Sequence, residues 1–100
     1  AFHLSVGEKK RAALAAVLAM RPGVVVLDEP TGELDPRGRR ELAALLQRIG
    51  RTQIVATHDF ELARELCSRV VVLDKGAVVA DGPVADVLGD REFLAAHSLA

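Results

Sequence analysis

The chain has 100 residues, of which 50% are hydrophobic, and 13 basic and 14 acidic residues leave a formal net charge of −1. This content is enough for the core of one small domain, or of part of a larger one, and it excludes a disordered chain. The charge balance excludes a chain-wide field for nucleic acid or anionic membranes, and no apolar run approaches the roughly 20 residues that span a bilayer. Because the chain starts at Ala1 and soon enters a helix, we expect a piece of a longer protein.

The first predicted element is a helix. Ser5 and Glu8 have the Ser-x-x-Glu spacing of a capping box, and good helix formers continue to Met20, where Arg21-Pro22-Gly23 ends the pattern. The basic residues at positions 9–11 fall in the first turns, an unfavourable place for cations beside the positive end of the helix dipole. A nearby anionic group would offset this, but we expect each of these side chains to extend into solvent.

The next predicted element is a strand that ends in two carboxylates. Val24 to Leu27 form an apolar run, which predicts a strand buried on both faces as in the middle of a parallel sheet. Asp28 and Glu29 follow it directly. Open α/β sheets bind ligands at the carboxyl ends of their strands, so these two residues are the first candidates for a functional site.

The remaining pattern predicts an α/β fold, half of a doubly wound domain that ends in a hairpin and short helices. Cys67 is the only cysteine, which excludes an internal disulfide, and we expect it in the core rather than as a reactive thiol. After the first strand, we predict a helix that is capped by Asp35, closed by Gly50 and buried through Leu42, Leu45, Leu46 and Ile49. A strand at 53–57 and a helix at 60–68 follow. The chain then forms a hairpin of 69–73 with 77–80, which is broken at Gly82-Pro83, and helices at 84–88 and from Asp90 to about Ser98.

Four ordered motifs resemble those of ATP-binding cassette (ABC) ATPases. They are Leu4-Ser5-Val6-Gly7-Glu8, similar to the signature motif; Leu27-Asp28-Glu29-Pro30-Thr31, similar to the Walker B strand; Leu34-Asp35, similar to the D-loop; and His58, similar to the switch histidine. The run from Leu4 to Pro22 also resembles the ATPase subunits of cobalt/nickel-type and energy-coupling-factor importers. The resemblance covers essentially the whole chain and implies the carboxyl-terminal part of one P-loop NTPase domain, with a signature helix at 1–22, a core at 23–81 and carboxyl-terminal helices at 82–100.

The resemblance implies a role for each matching residue. Asp28 would accept hydrogen bonds from the water shell of Mg²⁺, Glu29 would deprotonate the water that attacks ATP, and His58 would contact the γ-phosphate. Ser5 and Gly7 would act on nucleotide held by a second ATPase subunit, and Asp35 would lie along the interface with that subunit. His3 and His97 match no metal-site spacing, and we expect both to be structural or surface residues.

Two departures and one absence limit this expectation. Val6 stands where the signature motif has a glycine, and a β-branched residue disfavours positive φ. Glu33 adds a carboxylate where the D-loop has a small residue, so we expect a site with reduced turnover. No Gly-x-x-x-x-Gly-Lys-Ser/Thr phosphate loop is present in the sequence, and we therefore expect the isolated chain not to bind ATP tightly.

The resemblance implies an ATPase that powers import of a metal ion or small molecule. It implies membrane-spanning transporter subunits as partners, a peripheral location on the cytoplasmic face of the membrane, and no direct contact with nucleic acid. Two alternatives remain: the head of a DNA-repair or chromosome-maintenance ATPase, and a non-catalytic dimerisation module. Pro30-Thr31 and Asp35-Pro36 favour the transporter.

Overall fold

The computed structural model describes residues 5–97, and the predictions for His3 and for a helix end near Ser98 lie outside this range. The chain divides into two compact units, residues 1–57 and 58–100. The elements in order are α1 (Val6–Ala19), β1 (Val24–Asp28), α2 (Pro36–Arg48), β2 (Thr52–Ala56), α3 (Phe60–Leu66), β3 (Arg69–Asp74), β4 (Ala77–Pro83), α4 (Val84–Leu88) and α5 (Arg91–Ala96).

In the first unit, local signals set where the helices begin. Ser5 caps α1, because its hydroxyl accepts a hydrogen bond from the Glu8 amide at 3.1 Å, as the capping-box spacing predicts. Asp35 caps α2 in the same way, with its carboxylate 2.7 Å from the Gly38 amide, and proline occupies the first helical position. α2 ends at Arg48 with Ile49 as an extended cap, so Gly50 directly follows the cap, as predicted, although it does not have a positive φ.

The sheet of the first unit is a parallel pair joined by α2. β1 lies beside β2 in a register that sets Val24 opposite Thr52 and Asp28 opposite Ala56. The core of this unit is formed by apolar side chains from both helices and from β1: Leu14, Val25, Leu42, Ala43 and Leu46. Leu45 and Ile49, predicted to be buried with them, are only half-buried.

β1 is buried on one face only, so the prediction of burial on both faces is wrong. Val25 is 2% exposed, whereas Val26 is 70% exposed and its cross-strand partner Ile54 is 58% exposed. Within residues 5–97, β1 pairs with β2 alone, and side chains that point to the other face have no covering element.

In the second unit, β3 and β4 form an antiparallel hairpin. Lys75 and Gly76 close it with φ values of 50° and 79°, the left-handed pair that a two-residue turn requires. The predicted break at Gly82-Pro83 is wrong, because both residues stay in register, opposite Val70 and Arg69. An irregularity at Val72/Leu73 takes up one extra residue on β4, which lets the pairing continue.

Short helices pack on this hairpin around a small core. Ala63, Leu88 and Leu94 are buried, and the partly buried residues packed against them are Phe60, Val70, Val84, Val87 and Phe93. α3 begins at its Asp59 cap but ends at Leu66, two residues before the predicted end. Burial raises the pKa of the Cys67 thiol, which agrees with a structural rather than a reactive cysteine. The predicted α/β fold is confirmed, as one parallel and one antiparallel pair flanked by helices.

α5 is held at both ends by side chains. The Asp90 carboxylate accepts the Phe93 amide at 3.0 Å, as predicted for a cap. At the other end, His97 Nδ1 lies 2.5 Å from Asp74 Oδ2, and the Phe93 ring contacts the imidazole at a centroid distance of 4.7 Å. His97 is therefore a structural residue, as the sequence indicates.

Candidate functional site

Asp28 and Glu29 lie where the parallel pair ends. Asp28 is the last residue of β1, its side chain is exposed, and no hydrogen bond or ion pair of this carboxylate is found among residues 5–97. The main chain continues the pairing for one more step, because the Glu29 amide donates to the Ala56 carbonyl at 2.7 Å. The end of the strand therefore presents the Asp28 carboxylate without a protein partner among the residues described, next to the Glu29 carboxylate, which is bound by other residues of the protein.

Glu29 is held through both its side chain and its main chain. Its Oε2 accepts a hydrogen bond from the Thr57 hydroxyl at 3.0 Å. Its backbone has φ of 44°, a left-handed conformation that costs a residue other than glycine about 1–2 kcal/mol. Its carbonyl accepts hydrogen bonds from the Gly32 amide at 3.1 Å and from Lys10 Nζ at 3.3 Å. Strain of this kind persists only where the surroundings determine the conformation, and it is concentrated at functional sites.

The loop after Glu29 is compact. Pro30 and Thr31 are buried. A Cβ on Gly32 would lie 3.3 Å from the Glu29 carbonyl oxygen, so a larger residue at position 32 would crowd the hydrogen bond between the Gly32 amide and that oxygen. Glu33 is exposed and left-handed, with φ of 66°. The residue that departs from the D-loop pattern thus carries backbone strain of its own.

The amino end of α1 differs from the sequence expectation. Val6 is the first residue of the helix and does not have a positive φ, so the predicted conflict between its β-branched side chain and the backbone does not arise. Gly7 also lacks a positive φ, and a Cβ there would make ordinary contacts, 3.6 Å from Arg11 Nη1 and 3.7 Å from Leu34 Cδ2. The fold of the described residues therefore does not require glycine at position 7.

Two of the three cations in the first turns of α1 have partners within the chain, so the expectation that they extend into solvent is wrong for them. Lys10 donates to the Glu29 carbonyl. Arg11 Nη1 lies 3.3 Å from Glu41 Oε2, and Arg37 contacts the other oxygen of Glu41 at 3.0 Å. These contacts connect α1 both to the loop after β1 and to α2.

Asp35 and His58 complete the set of predicted site residues. The Asp35 carboxylate caps α2, so this residue has a structural role that is independent of any role at an interface between subunits. His58 is exposed and is the first residue of the second unit. The geometry of the candidate site is accordingly built from the first unit, which brings Asp28 and Glu29 together with Thr57 and Lys10.

Thr57 and Lys10 were missed as site residues by the sequence reasoning. Thr57 had a usable signal: two parallel strands that both end in polar residues bring those residues together. For Lys10, the signal was the unfavourable position of a cation in the first turns of a helix, which indicates a partner outside the helix.

A cavity of about 210 Å³ lies between α1, β1 and α2. Lys10 and Asp28 are its charged lining residues, and apolar side chains such as Leu14 and Leu46 form most of the rest. Drug-sized ligands occupy pockets of roughly 300–1,000 Å³, so this cavity is too small to enclose a nucleotide.

The donor set fits a magnesium ion that is held mainly by its substrate. No cluster of three or more His, Cys, Asp or Glu side chains that could hold a metal occurs in the described part of the chain. Mg²⁺ keeps several waters and binds through one or two carboxylates together with nucleotide phosphates. The open carboxylate of Asp28 meets that requirement.

Among the described helices, none is long and apolar enough to cross a membrane.

The chain is similar to a family of known proteins. A family model described as "AAA domain, putative AbiEii toxin, Type IV TA system" matches residues 1–63. The "Putative ABC transporter ATP-binding protein gll0289" of Gloeobacter violaceus is 55% identical over 98% of this chain and 40% of its own length. The energy-coupling factor transporter ATP-binding protein EcfA of Carboxydothermus hydrogenoformans is 52% identical over 97% of this chain and 37% of its own.

A solved structure gives the same relationship. That of cbiO1 from Clostridium perfringens, part of the ABC transporter complex cbiONQ, superimposes with a TM-score of 0.77 at 41% identity, over 96% of this chain and 40% of that one. The chain thus spans about 40% of the length of the relatives it matches. Because the family model covers more than half of the chain, the chain belongs to this AAA-domain family, and it resembles the carboxyl-terminal part of ABC transporter ATP-binding proteins.

Proposed function

We propose that the chain is the carboxyl-terminal part of an ATP-hydrolysing subunit that powers import of a metal ion or small molecule across a membrane. One observation carries the proposal: Asp28 ends β1 and Glu29 follows it directly, held by Thr57 and by a left-handed backbone. Paired carboxylates with different environments suit different tasks, here an ion's water shell for Asp28 and proton transfer for Glu29.

Each residue then has a chemical role. Asp28 would hold Mg²⁺ through its carboxylate, and the ion would supply charge neutralisation to the phosphates when bound with ATP. Glu29 orients the attacking water and takes its proton as the oxygen bonds to the γ-phosphorus, so that ADP leaves and inorganic phosphate forms. Thr57 fixes the Glu29 carboxylate through its hydroxyl. His58 contacts the γ-phosphate.

The amino end of α1 acts on nucleotide bound by a second ATPase subunit. α1 runs for 14 residues, and its free amides and dipole favour an anion at that end. Ser5 and Gly7 lie there, and the lack of an internal need for glycine at position 7 supports a role toward an outside ligand. Asp35 lies along the interface between the subunits while it caps α2.

The names of the relatives support the partners and the location that we propose. They favour membrane-spanning transporter subunits and a peripheral position on the cytoplasmic face of the membrane over a DNA-repair ATPase head or a non-catalytic module. Within the domain, we assign 1–22 to the signature helix, 23–81 to the core and 82–100 to the carboxyl-terminal helices. No direct contact with nucleic acid is part of the proposal.

The test is Glu29→Gln in the complete ATPase subunit that contains this sequence. The amide keeps the size of the side chain but cannot accept the proton, so we expect hydrolysis to fall by about 100-fold or more while equilibrium binding of Mg-ATP is retained. Glu92→Gln is the matched control, because it removes an exposed carboxylate from α5. Equal loss of binding and hydrolysis in Glu29→Gln would indicate a role in folding and contradict the proposal.

A further inference from the structure

We infer that Lys10 is a positioning residue for hydrolysis: from α1, its ammonium group holds the main chain of Glu29 in the conformation that directs the carboxylate. The inference rests on the proposed function of Glu29 as the base. It concerns a residue whose side chain is expected, from the sequence, to lie in solvent. Lys10 acts through Glu29 and not on the nucleotide.

The conformation of Glu29 needs support from outside its own segment. A φ of 44° is unfavourable for a glutamate, and the proline at position 30 adds a restriction, since a residue before proline prefers extended backbone. The Gly32 amide supplies one hydrogen bond to the Glu29 carbonyl from within the same loop. Lys10 supplies a second one from a different element, at 3.3 Å.

The position of Lys10 indicates a specific hydrogen bond to the Glu29 carbonyl and not a transient surface contact. The side chain is half-buried, and a charged donor makes a stronger hydrogen bond to a carbonyl than a neutral one. A cation in the first turns of α1 is unfavourable for the helix itself. The hydrogen bond to the Glu29 carbonyl offsets this unfavourable electrostatic energy.

The helix turn that carries Lys10 is fixed independently. Arg11, the next residue, pairs with Glu41 of α2, and Arg37 pairs with the same carboxylate. Because α1 is also anchored by the buried side chain of Leu14, the Lys10 side chain can be removed without releasing α1. Lys9, the residue before it, is exposed, and its ammonium group makes no hydrogen bond or ion pair among residues 5–97, so it provides a matched control for loss of charge.

The experiment compares three variants of the complete ATPase subunit with the wild type. We expect Lys10→Met to lower kcat for ATP hydrolysis by about tenfold or more, because a small displacement of a catalytic group is costly, while the KM for ATP stays within about twofold. Lys10→Arg, whose guanidinium can donate to the same carbonyl, should restore most of the activity. Lys9→Met should behave as the wild type.

A second measurement follows the main chain directly. Amide hydrogen exchange across residues 28–34 should be faster in Lys10→Met than in Lys9→Met, because the Gly32 amide shares the carbonyl that Lys10 contacts. Exchange elsewhere in α1 should be the same in both variants, which separates local release of the loop from loss of folding.

The outcomes distinguish the inference from the proposed function. Normal turnover of Lys10→Met beside an inactive Glu29→Gln subunit overturns the inference alone. Equal impairment of Lys9→Met also overturns it, because the loss of turnover would then follow from the lost charge alone. Unchanged exchange at residues 28–34 overturns it as well, because Lys10 would then not hold the main chain of Glu29. Full turnover of Glu29→Gln overturns the proposed function and the role of Lys10 together.

Discussion

Four residues other than glycine have a left-handed backbone in the described part of the chain, and their positions differ in meaning. Arg21 follows the end of α1 and Lys75 lies in a hairpin turn, both of which are ordinary places for this conformation. Glu29 and Glu33 lie in the loop after β1, and no helix end or hairpin explains them. The unexplained strain is thus concentrated beside the candidate site.

Gly7 gives a prediction in which stability and activity change in opposite directions. Gly7→Ala should stabilise this chain by up to about 1 kcal/mol, because alanine is the better helix former and its Cβ meets only ordinary contacts. If the amino end of α1 contacts nucleotide bound by a second subunit, as we propose, the same methyl group in the complete subunit would hinder that contact and lower ATP turnover about tenfold.

Urea unfolding and a steady-state ATPase assay measure the two effects of Gly7→Ala. Wild-type turnover in this variant would remove the reason for a glycine at the amino end of α1. A loss of stability would instead show that position 7 is crowded within its own subunit.

At the scale of the element, the parts that were correctly predicted are those specified by neighbouring residues. Ser5, Asp35 and Asp90 each accept the amide three residues later, and the sequence spacing contains everything needed for such a cap. The α/β order was predictable for the same reason, since it follows from local apolar periods and turn residues.

The parts that could not be predicted depend on contacts between distant segments. Lys10 and Glu29 meet across 19 residues and Thr57 and Glu29 across 28, which no local pattern encodes. The exposure of Val26 depends on how many elements cover the sheet. The sequence pattern of an apolar run does not show whether one face of the strand or both faces are buried. The candidate site was therefore predictable in its carboxylates but not in the groups that hold them.

The junction of α4 and α5 gives a prediction about an element boundary. A Cβ on Gly89 would lie 2.5 Å from the Ala85 carbonyl oxygen, which also accepts the Gly89 amide. Gly89→Ala should destabilise the chain by about 1–3 kcal/mol, because the helix end must shift to relieve the overlap. Gly50→Ala is the control, since no atom lies within 4 Å of a Cβ at that position.

The midpoints of urea unfolding for Gly89→Ala, Gly50→Ala and the wild type test this prediction. We expect a lower midpoint for the first variant alone. A midpoint for Gly89→Ala within error of the wild type would mean that α4 can end one residue earlier without loss.

At the scale of the whole molecule, the cavity beside Asp28, a carboxylate that we propose for a nucleotide site, is too small to enclose a nucleotide. The cavity beside Asp28 has about 210 Å³, and the sequence contains no phosphate loop. The curated relatives, which are named ATP-binding proteins, are more than twice as long as the aligned part. The groups that cradle phosphates in P-loop proteins are backbone amides of that loop.

We therefore predict that this chain alone binds Mg-ATP only weakly. Titration calorimetry should give no saturation at micromolar nucleotide, whereas the complete ATPase subunit should saturate under the same conditions. Glu29→Gln in the complete subunit serves as a positive control for binding without turnover. A micromolar dissociation constant for the 100-residue chain would contradict the prediction.

The two strand pairs differ in how much chain must be ordered to form them. Lys75 and Gly76 alone separate β3 from β4, whereas residues 29–51 separate β1 from β2. The entropy lost on closing a loop rises with the logarithm of its length, so the parallel pair is the more demanding one to close. The Glu29 amide bonds to Ala56 and its carboxylate to Thr57 only after that closure. The crossover through α2 thus assembles the proposed base, and the geometry of Glu29 depends on the order of a long connection.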